Sequence, residues 1–314
     1  EGEPRSPLQT HPAVVVGFLV ALFIFFLAQG GFDASVGDPQ SGYYQRLTDA
    51  FMSGQLHLEE EVPDALQTAA NPYDPAVSAP FRTYGIHDAI LYEGHYYYYW
   101  GPGPVLTLTL PLRLVGLRIT ESDVGLGALM TVAVLAGLLV HRLGRRNLLP
   151  RYLQVLLVMV IGFSYSLVFT VSRIAVWEAS ILFAAACVLA SLFCMLECVS
   201  TPEPRASRMF LYAASVAAAL ATLSRFESVV LVLPLALAYW AHLPRGENWR
   251  SARTLFRLGI VLLPAFGSLC ILALYNVMRF GSPFEFGVAH ILGGLQDHSS
   301  LVFSSVRYIR PNLF

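Results

Sequence analysis

Apolar stretches separated by short arginine-bearing turns make up most of this chain. The first covers residues 13–28. After a long polar interval, others follow at roughly 104–117, 123–141, 152–171, 176–197, 209–223, 228–243 and 258–277. Several reach the roughly 20 residues that cross a bilayer as a helix. Residues 104–117 are short, interrupted by Pro111 and charged at Arg113. They read as a juxtamembrane or re-entrant helix rather than a span.

Arginine placement orients the spans, because cytoplasmic loops carry the excess of basic residues. Arg142, Arg145, Arg146 and Arg151 form one cluster, Arg205 and Arg208 a second, and Arg245, Arg250, Arg253 and Arg257 a third. They lie an even number of spans apart, so all can be cytoplasmic together if 104–117 does not cross. The expected layout is a cytoplasmic tail (1–12), a first transmembrane helix (13–28) and a large extracytoplasmic loop (29–122). A six-helix membrane region (123–278) and the start of a further external segment (279–314) follow. The fold class is therefore an all-α polytopic membrane protein with about seven transmembrane helices. A cleaved signal peptide is the alternative for 13–28, since Ala28-Gln29-Gly30 is a tolerable cleavage site. Two acids, Glu1 and Glu3, against one arginine make a poor n-region, so a retained helix is expected.

Composition agrees with a membrane protein. The chain has 314 residues, of which 55% are hydrophobic and 13% charged, with mean hydropathy +0.57. Soluble domains are nearer a quarter charged. The net charge of −1 identifies no partner, and no basic run of the kind nucleic acid needs is present. All 20 basic residues are arginine. Cys187, Cys194 and Cys198 share one helix face at i, i+7 and i+11, and read as small packing residues. No disulfide framework is suggested. The chain starts without Met and stops at Arg310-Pro311-Asn312-Leu313-Phe314 without a closing element, so a piece of a longer protein is expected.

Within the large loop, the stretch from Gln29 to Gly101 holds ten of the 21 acids: Asp33, Asp38, Asp49, Glu59, Glu60, Glu61, Asp64, Asp74, Asp88 and Glu93, against Arg46 and Arg82 alone. Asp38-Pro39 looks like a helix start, with Asp as N-cap and Pro at the first helical position. Tyr43, Leu47, Ala50, Phe51 and Gly54 then share a face, with Gln45, Asp49 and Ser53 on others. This reads as a helix on the membrane surface, closed near Gly54. Residues 59–82 look irregular. The loop closes on Tyr92 and on Tyr96-Tyr97-Tyr98-Tyr99-Trp100, before Gly101-Pro102-Gly103-Pro104. A large polar loop carried by apolar helices is where chemistry is expected.

Four stretches, in this order, resemble the GT-C superfamily of membrane glycosyltransferases, which includes protein O-mannosyltransferases and lipid A aminoarabinose transferases. The first is Gly37-Asp38 with Tyr43-Tyr44 and Asp49-Ala50. The second is Tyr96 to Pro104, where relatives have a Pro-Pro motif leading into a juxtamembrane helix. The third is Ser172-Arg173-Ile174-Ala175-Val176-Trp177-Glu178-Ala179, similar to a second acid-bearing external loop. The fourth is Tyr275-Asn276-Val277-Met278-Arg279-Phe280-Gly281-Ser282-Pro283-Phe284-Glu285-Phe286-Gly287. The resemblance implies an enzyme of the bacterial cell envelope. It would move a sugar from a polyprenyl-phosphate donor, outside the cytoplasmic membrane, to a glycan, lipid or protein acceptor. Two features depart from the family. Asp38 is followed by Pro39, so the Asp-Glu pair of the mannosyltransferases is absent. The lysine that some aminoarabinose transferases place beside the Pro-Pro motif is missing too.

Such a transfer needs a base for the acceptor's proton and cations for the leaving phosphate. Asp38 is the first choice for the base, against a plain N-cap role, and Asp33 is the runner-up. Glu178 is a second acid, a metal ligand or an ion-pair partner of Arg173. Arg173, Arg225 and Arg279 are the outer arginines open to a lipid phosphate, although Arg225 with Glu227 reads foremost as a structural pair. Tyr43, Tyr44, Tyr98 and Trp100 are candidates for sugar or prenyl contact, against ordinary interfacial aromatics. A divalent metal ion stays open as a cofactor: His57, His87, His95, His290 and His298 lie outside with Asp88, but no spacing among them is specific. The competing reading is a transporter or lipid flippase. It would call for a midplane charge or an inverted repeat, and the sequence carries neither. A third reading is a non-catalytic assembly subunit, for which no acid of the loop would matter.

Overall fold

A computed structural model describes residues 16, 17, 19, 20, 23, 42–82, 86, 87, 89–145, 150–162, 176–243, 248 and 250–292. In the loop region these form α1 (Tyr43–Met52), α2 (Asp64–Gln67), α3 (Pro75–Ser78), β1 (Ile90–Tyr92), β2 (His95–Tyr97) and α4 (Leu110–Leu114). The longer helices are α5 (Glu121–Arg145), α6 (Arg151–Gly162), α7 (Val176–Ser200), α8 (Pro204–Ser224), α9 (Val232–His242) and α10 (Ala252–Phe280). The chain divides into two compact units. The first holds Glu1–Val36, Gly101–Pro104 and Glu121–Leu269, and the second Gly37–Trp100, Val105–Thr120 and Cys270–Phe314.

Four helices are long and apolar enough to cross a membrane: Glu121–Gly144, Glu178–Ser200, Pro204–Ser224 and Ala252–Phe280. The expectation of about seven spans is met only to that extent among the described residues. The stretch 152–171 is helical through Gly162, and 163–175 lies outside the described residues. The stretch 228–243 is divided, with a 3-10 segment Phe226–Leu231 preceding α9. The stretch 104–117 yields a helix of only ten residues, Val105–Leu114, roughly 15 Å at 1.5 Å per residue and half of a bilayer core. Its first part, Val105–Thr109, is a π-helical turn. Pro111 has no N–H to offer the carbonyl four residues back, and a widened turn there accommodates the loss.

In the first unit α7 and α8 form an antiparallel hairpin cemented by small polar side chains. Ser180 Oγ lies 3.2 Å from Ser224 Oγ, Ser191 Oγ donates to the Ala214 carbonyl at 2.8 Å, and Ser207 Oγ donates to the Cys198 carbonyl at 2.6 Å. Small residues let two backbones approach closely where no water drives association. Residues 16, 17, 19, 20 and 23 of the first apolar stretch are helical. A Cβ on Gly17 would stand 3.0 Å from the Ala133 carbonyl oxygen and 3.3 Å from the Gly137 Cα of α5. The cysteines serve packing: Cys194 and Cys198 meet Leu211 and Leu235, and Cys187 meets Ala218 and Leu231.

Arg142, near the C-terminal end of α5, forks both oxygens of Glu197, near the C-terminal end of α7. The two helices therefore run in the same direction. Ser207 meets His242, and Tyr239 donates to the Thr254 carbonyl. Together these contacts gather the C-terminal ends of α5, α7 and α9 and the N-terminal ends of α8 and α10. The described arginines of the three sequence clusters thus share one end of this unit. Glu197 is 5% exposed. Glu197→Ala leaves a guanidinium without its fork and is expected to destabilise the protein by about 2–3 kcal/mol. A lowered melting temperature in detergent checks this, and Arg142→Met with Glu197→Leu should recover most of the loss.

The second unit folds the polar loop around its own apolar core. α1 starts at Tyr43 behind Gly42, whose extended backbone caps it. The expected start at Asp38-Pro39 is corrected: the chain is still extended at Gly42, and Asp38 itself lies outside the described residues. The helix closes near Gly54 as expected, with Gly54 at φ +77°. Its burial is wider than a surface helix would show. Gln45 and Thr48 are buried along with Tyr43, Tyr44, Leu47 and Ala50. Gln45 donates to the Ile119 carbonyl, Thr48 Oγ1 lies 2.6 Å from Thr109 Oγ1, and Arg113 pairs with Asp49 at 3.3 Å. Residues 105–119 therefore cover the face that periodicity alone assigned to solvent.

Residues 59–82 are less irregular than expected, containing α2, α3 and a 3-10 turn Ala79–Phe81. The β1–β2 hairpin pairs Ile90 with Tyr97 and Tyr92 with His95. Its two-residue turn, Glu93-Gly94, has positive φ at both positions (48° and 76°), the hand that suits a right-twisted hairpin. The chain after α10 returns to this hairpin: Ile90 bridges Ile291, and Leu292 N donates to the Ala89 carbonyl at 2.9 Å.

Candidate functional site

The fourth sequence stretch places its polar groups by helical spacing. Tyr275 and Arg279 are i and i+4 at the end of α10, and Asn276 and Arg279 are i and i+3, so all three share a face. Gly281 and Gly287 then turn the chain, both at φ +72°. A Cβ on Gly287 would stand 2.4 Å from Ile90 Cδ1 and 2.8 Å from Phe280 Cζ. Ile90, Tyr97, Phe280 and Ile291 form the apolar cluster that this turn closes.

Arg279 is the centre of the arrangement and is only 5% exposed. Its Nη1 donates to the Tyr98 carbonyl at 2.5 Å, its Nη2 to Asn276 Oδ1 at 2.8 Å, and its Nε to the Tyr275 carbonyl at 3.3 Å. The guanidinium lies 3.7 Å over the Tyr275 ring and 4.5 Å over the Phe280 ring. Every one of these partners is neutral, and no described acid forms an ion pair with it. Three acceptors also leave part of its five-donor fork unused by these bonds. A buried cation held by neutral dipoles and ring faces keeps its charge available for an anion. That charge reaches Tyr97: burial pushes its hydroxyl pKa up, and Arg279 pulls partly against it.

The loop aromatics complete the surroundings. Tyr98 stacks on Trp100 with centroids 4.7 Å apart, and Tyr43 meets Tyr98 at 5.3 Å and Trp100 at 5.5 Å. Tyr43, Tyr44, Tyr98 and Trp100 are all buried. They form core rather than an open platform, since all four are buried and Tyr43, Tyr98 and Trp100 pack on one another. The indole Nε1 of Trp100 and the Tyr275 hydroxyl are buried without a hydrogen-bond partner among the described residues.

The remaining candidates fall elsewhere. Asp33, Asp38 and Arg173 lie outside the described residues. Glu178 is in the first turn of α7, in the first unit, and its Oε2 is buried without a partner among the described residues. Arg225 pairs with Glu227 at 3.6 Å, as the structural reading of that pair expected. Of the histidines, His57 stacks on His95 at 4.2 Å, and His290 meets the Tyr73 hydroxyl at 3.1 Å. Asp88 and His298 lie outside the described residues. Among those described, no three potential ligands gather around a point.

The chain matches no protein-family model, no curated protein and no solved structure. The site therefore rests on its own geometry. Sequence reasoning singled out Tyr43, Tyr98, Trp100 and Arg279 separately, and the second unit brings them together. It passed over Tyr275, Asn276 and Phe280 as partners of Arg279, although their helical spacing was visible.

Proposed function

We propose that this chain is an integral-membrane glycosyltransferase of GT-C type, moving a sugar from a polyprenyl-phosphate donor to an acceptor on the extracytoplasmic face. The observation that carries the reading is the buried Arg279, a cation with neutral partners inside a folded loop unit next to the end of a membrane-length helix. Its role is to attract the donor phosphate and hold negative charge as the leaving group departs. Glu178, whose Oε2 is buried without a partner among the described residues, is the candidate second acid.

In the reaction the acceptor oxygen attacks the anomeric carbon, and a new C–O bond forms. The bond from that carbon to the phosphate oxygen breaks, and polyprenyl phosphate leaves with the electron pair. The acceptor's proton passes to a carboxylate, for which Asp38 is the first candidate and Asp33 the second.

The test is transfer of labelled sugar from a polyprenyl-phosphate donor in proteoliposomes. Asp38→Asn is expected to lower the rate by about 10²-fold or more, with an unchanged gel-filtration profile. A fully active Asp38→Asn protein removes Asp38 from the role. Absence of any donor turnover by the wild type, together with movement of the intact lipid between leaflets, would favour a flippase instead.

A further inference from the structure

The first unit has a cavity of about 600 Å³ at its arginine-rich end, between α8, α9 and α10. Arg208 and Arg257 line it together with His242 and Tyr212, and Pro202, Pro204 and Leu243 supply an apolar wall. No acidic side chain lines it. Nothing in the proposed transfer uses this cavity.

We propose that it binds the phosphate headgroup of an anionic membrane lipid, with the start of an acyl chain against the apolar wall. Three features carry this. First, the cationic lining comes from helices of membrane length: Arg208 stands in the first turns of α8 and Arg257 in those of α10. A helix N-terminus adds its own positive dipole end near each. Second, the imidazole of His242 is held in place. Ser207 Oγ donates to the Cys198 carbonyl at 2.6 Å, so it accepts from His242 Nδ1 at 2.9 Å. This fixes the ring at the cavity wall with Nε2 as its acceptor nitrogen, so the donors to a phosphate are the two arginines. Third, one flank of the cavity is apolar and unlike a site for a free ion. Tyr212 is 41% exposed, Leu243 is half-buried, and Pro202 and Pro204 are exposed on the same lining. Basic pockets between membrane helices at the positively charged end are the recurrent form of anionic headgroup sites. A small soluble phosphate would gain nothing from the apolar flank.

The experiment measures lipid retained on the purified full chain by native mass spectrometry, after exchange into detergent with phosphatidylglycerol or phosphatidylcholine. The wild type is expected to retain phosphatidylglycerol and not phosphatidylcholine. Arg208→Ala and Arg257→Ala are each expected to weaken retention by about fivefold. Arg205→Ala, at the same end but outside the lining, should leave it within about twofold. Both lining arginines are exposed, so the variants should keep the wild-type melting temperature. Equal retention of the two lipids, or equal losses for Arg205→Ala and Arg208→Ala, would overturn the proposal in favour of a diffuse basic surface. Displacement of phosphatidylglycerol by millimolar inorganic phosphate would overturn the lipid assignment in favour of a free anion.

Discussion

Gly101→Ala is expected to prevent the native fold. A Cβ at this position would stand 1.9 Å from the Leu223 carbonyl oxygen, 2.8 Å from its carbon and 3.0 Å from the Ser224 carbonyl oxygen. These are backbone atoms at the end of α8 and cannot rotate away. Gly101 N also donates to Ser224 O at 3.3 Å, and Ser224 is tied to Ser180 of α7. Gly103 is similarly tight: a Cβ there would stand 2.7 Å from Ser224 N. The Gly-Pro-Gly-Pro stretch is thus a close backbone crossing in the first unit, with proline stiffening each side. The expected loss is about 3 kcal/mol or more, as for an overpacked core. Monodisperse yield and melting temperature in detergent measure it. Gly127→Ala is the control. It has open space around its Cβ in the middle of α5 and should be neutral or stabilising by up to about 1 kcal/mol. A Gly101→Ala protein that melts with the wild type would show that the crossing is not as close as described.

Arg279→Ala is expected to loosen the second unit and to abolish activity. The change removes three hydrogen bonds and two ring contacts at once. It leaves the Tyr98 carbonyl and Asn276 Oδ1 buried without their donor. The expected destabilisation is about 3–4 kcal/mol, since each orphaned buried acceptor costs about 1–3 kcal/mol. Hydrogen–deuterium exchange should rise in Ile90–Tyr92 and His95–Tyr97, which pack on Phe280, the neighbour of Arg279. Arg279→Lys separates the two roles. It keeps the charge but has no planar fork to reach Tyr98 and Asn276 together. A lysine variant with near-wild-type exchange and a transfer rate lowered tenfold or more would tie the fork to the donor phosphate. Wild-type exchange and wild-type transfer in the alanine variant would remove Arg279 from both the core and the site.

Several elements were legible in the sequence because local chemistry decides them. Uninterrupted apolar length marks α5, α7, α8 and α10, whatever packs beside them. Pro111 and Arg113 mark 105–114 as too broken to cross. The close of α1 at Gly54 follows from glycine's freedom at positive φ. The i, i+3 and i, i+4 spacing of Tyr275, Asn276 and Arg279 was equally local and needed only to be drawn on a helix.

Other elements were not local. The hairpin at Ile90–Tyr97 is short, and its Glu-Gly turn is a weaker signal than Asn-Gly, so the aromatic run around it reads as interfacial side chains. The partner that steadies it, Ile291, lies two hundred residues on. The solvent-facing side that periodicity assigned to α1 is covered by residues 105–119, which no pattern inside 43–52 reveals. The helix expected to run on from Asp38-Pro39 begins instead at Tyr43, behind an extended Gly42, and Asp38 itself lies outside the described residues.

By itself, then, the sequence determined a helical membrane protein with a large polar loop and arginines gathered at one end of its helices. Hydrophobic length, breaker residues and charge act over a few neighbouring residues and so can be read in order. Only the tertiary structure decided that Tyr98, Trp100, Tyr43 and Arg279 meet, that Gly101 crosses α8, and that Arg208 and Arg257 line a common cavity. Those contacts join residues far apart in the chain, and burial energy, which selects them, depends on what ends up beside each side chain rather than on what precedes it.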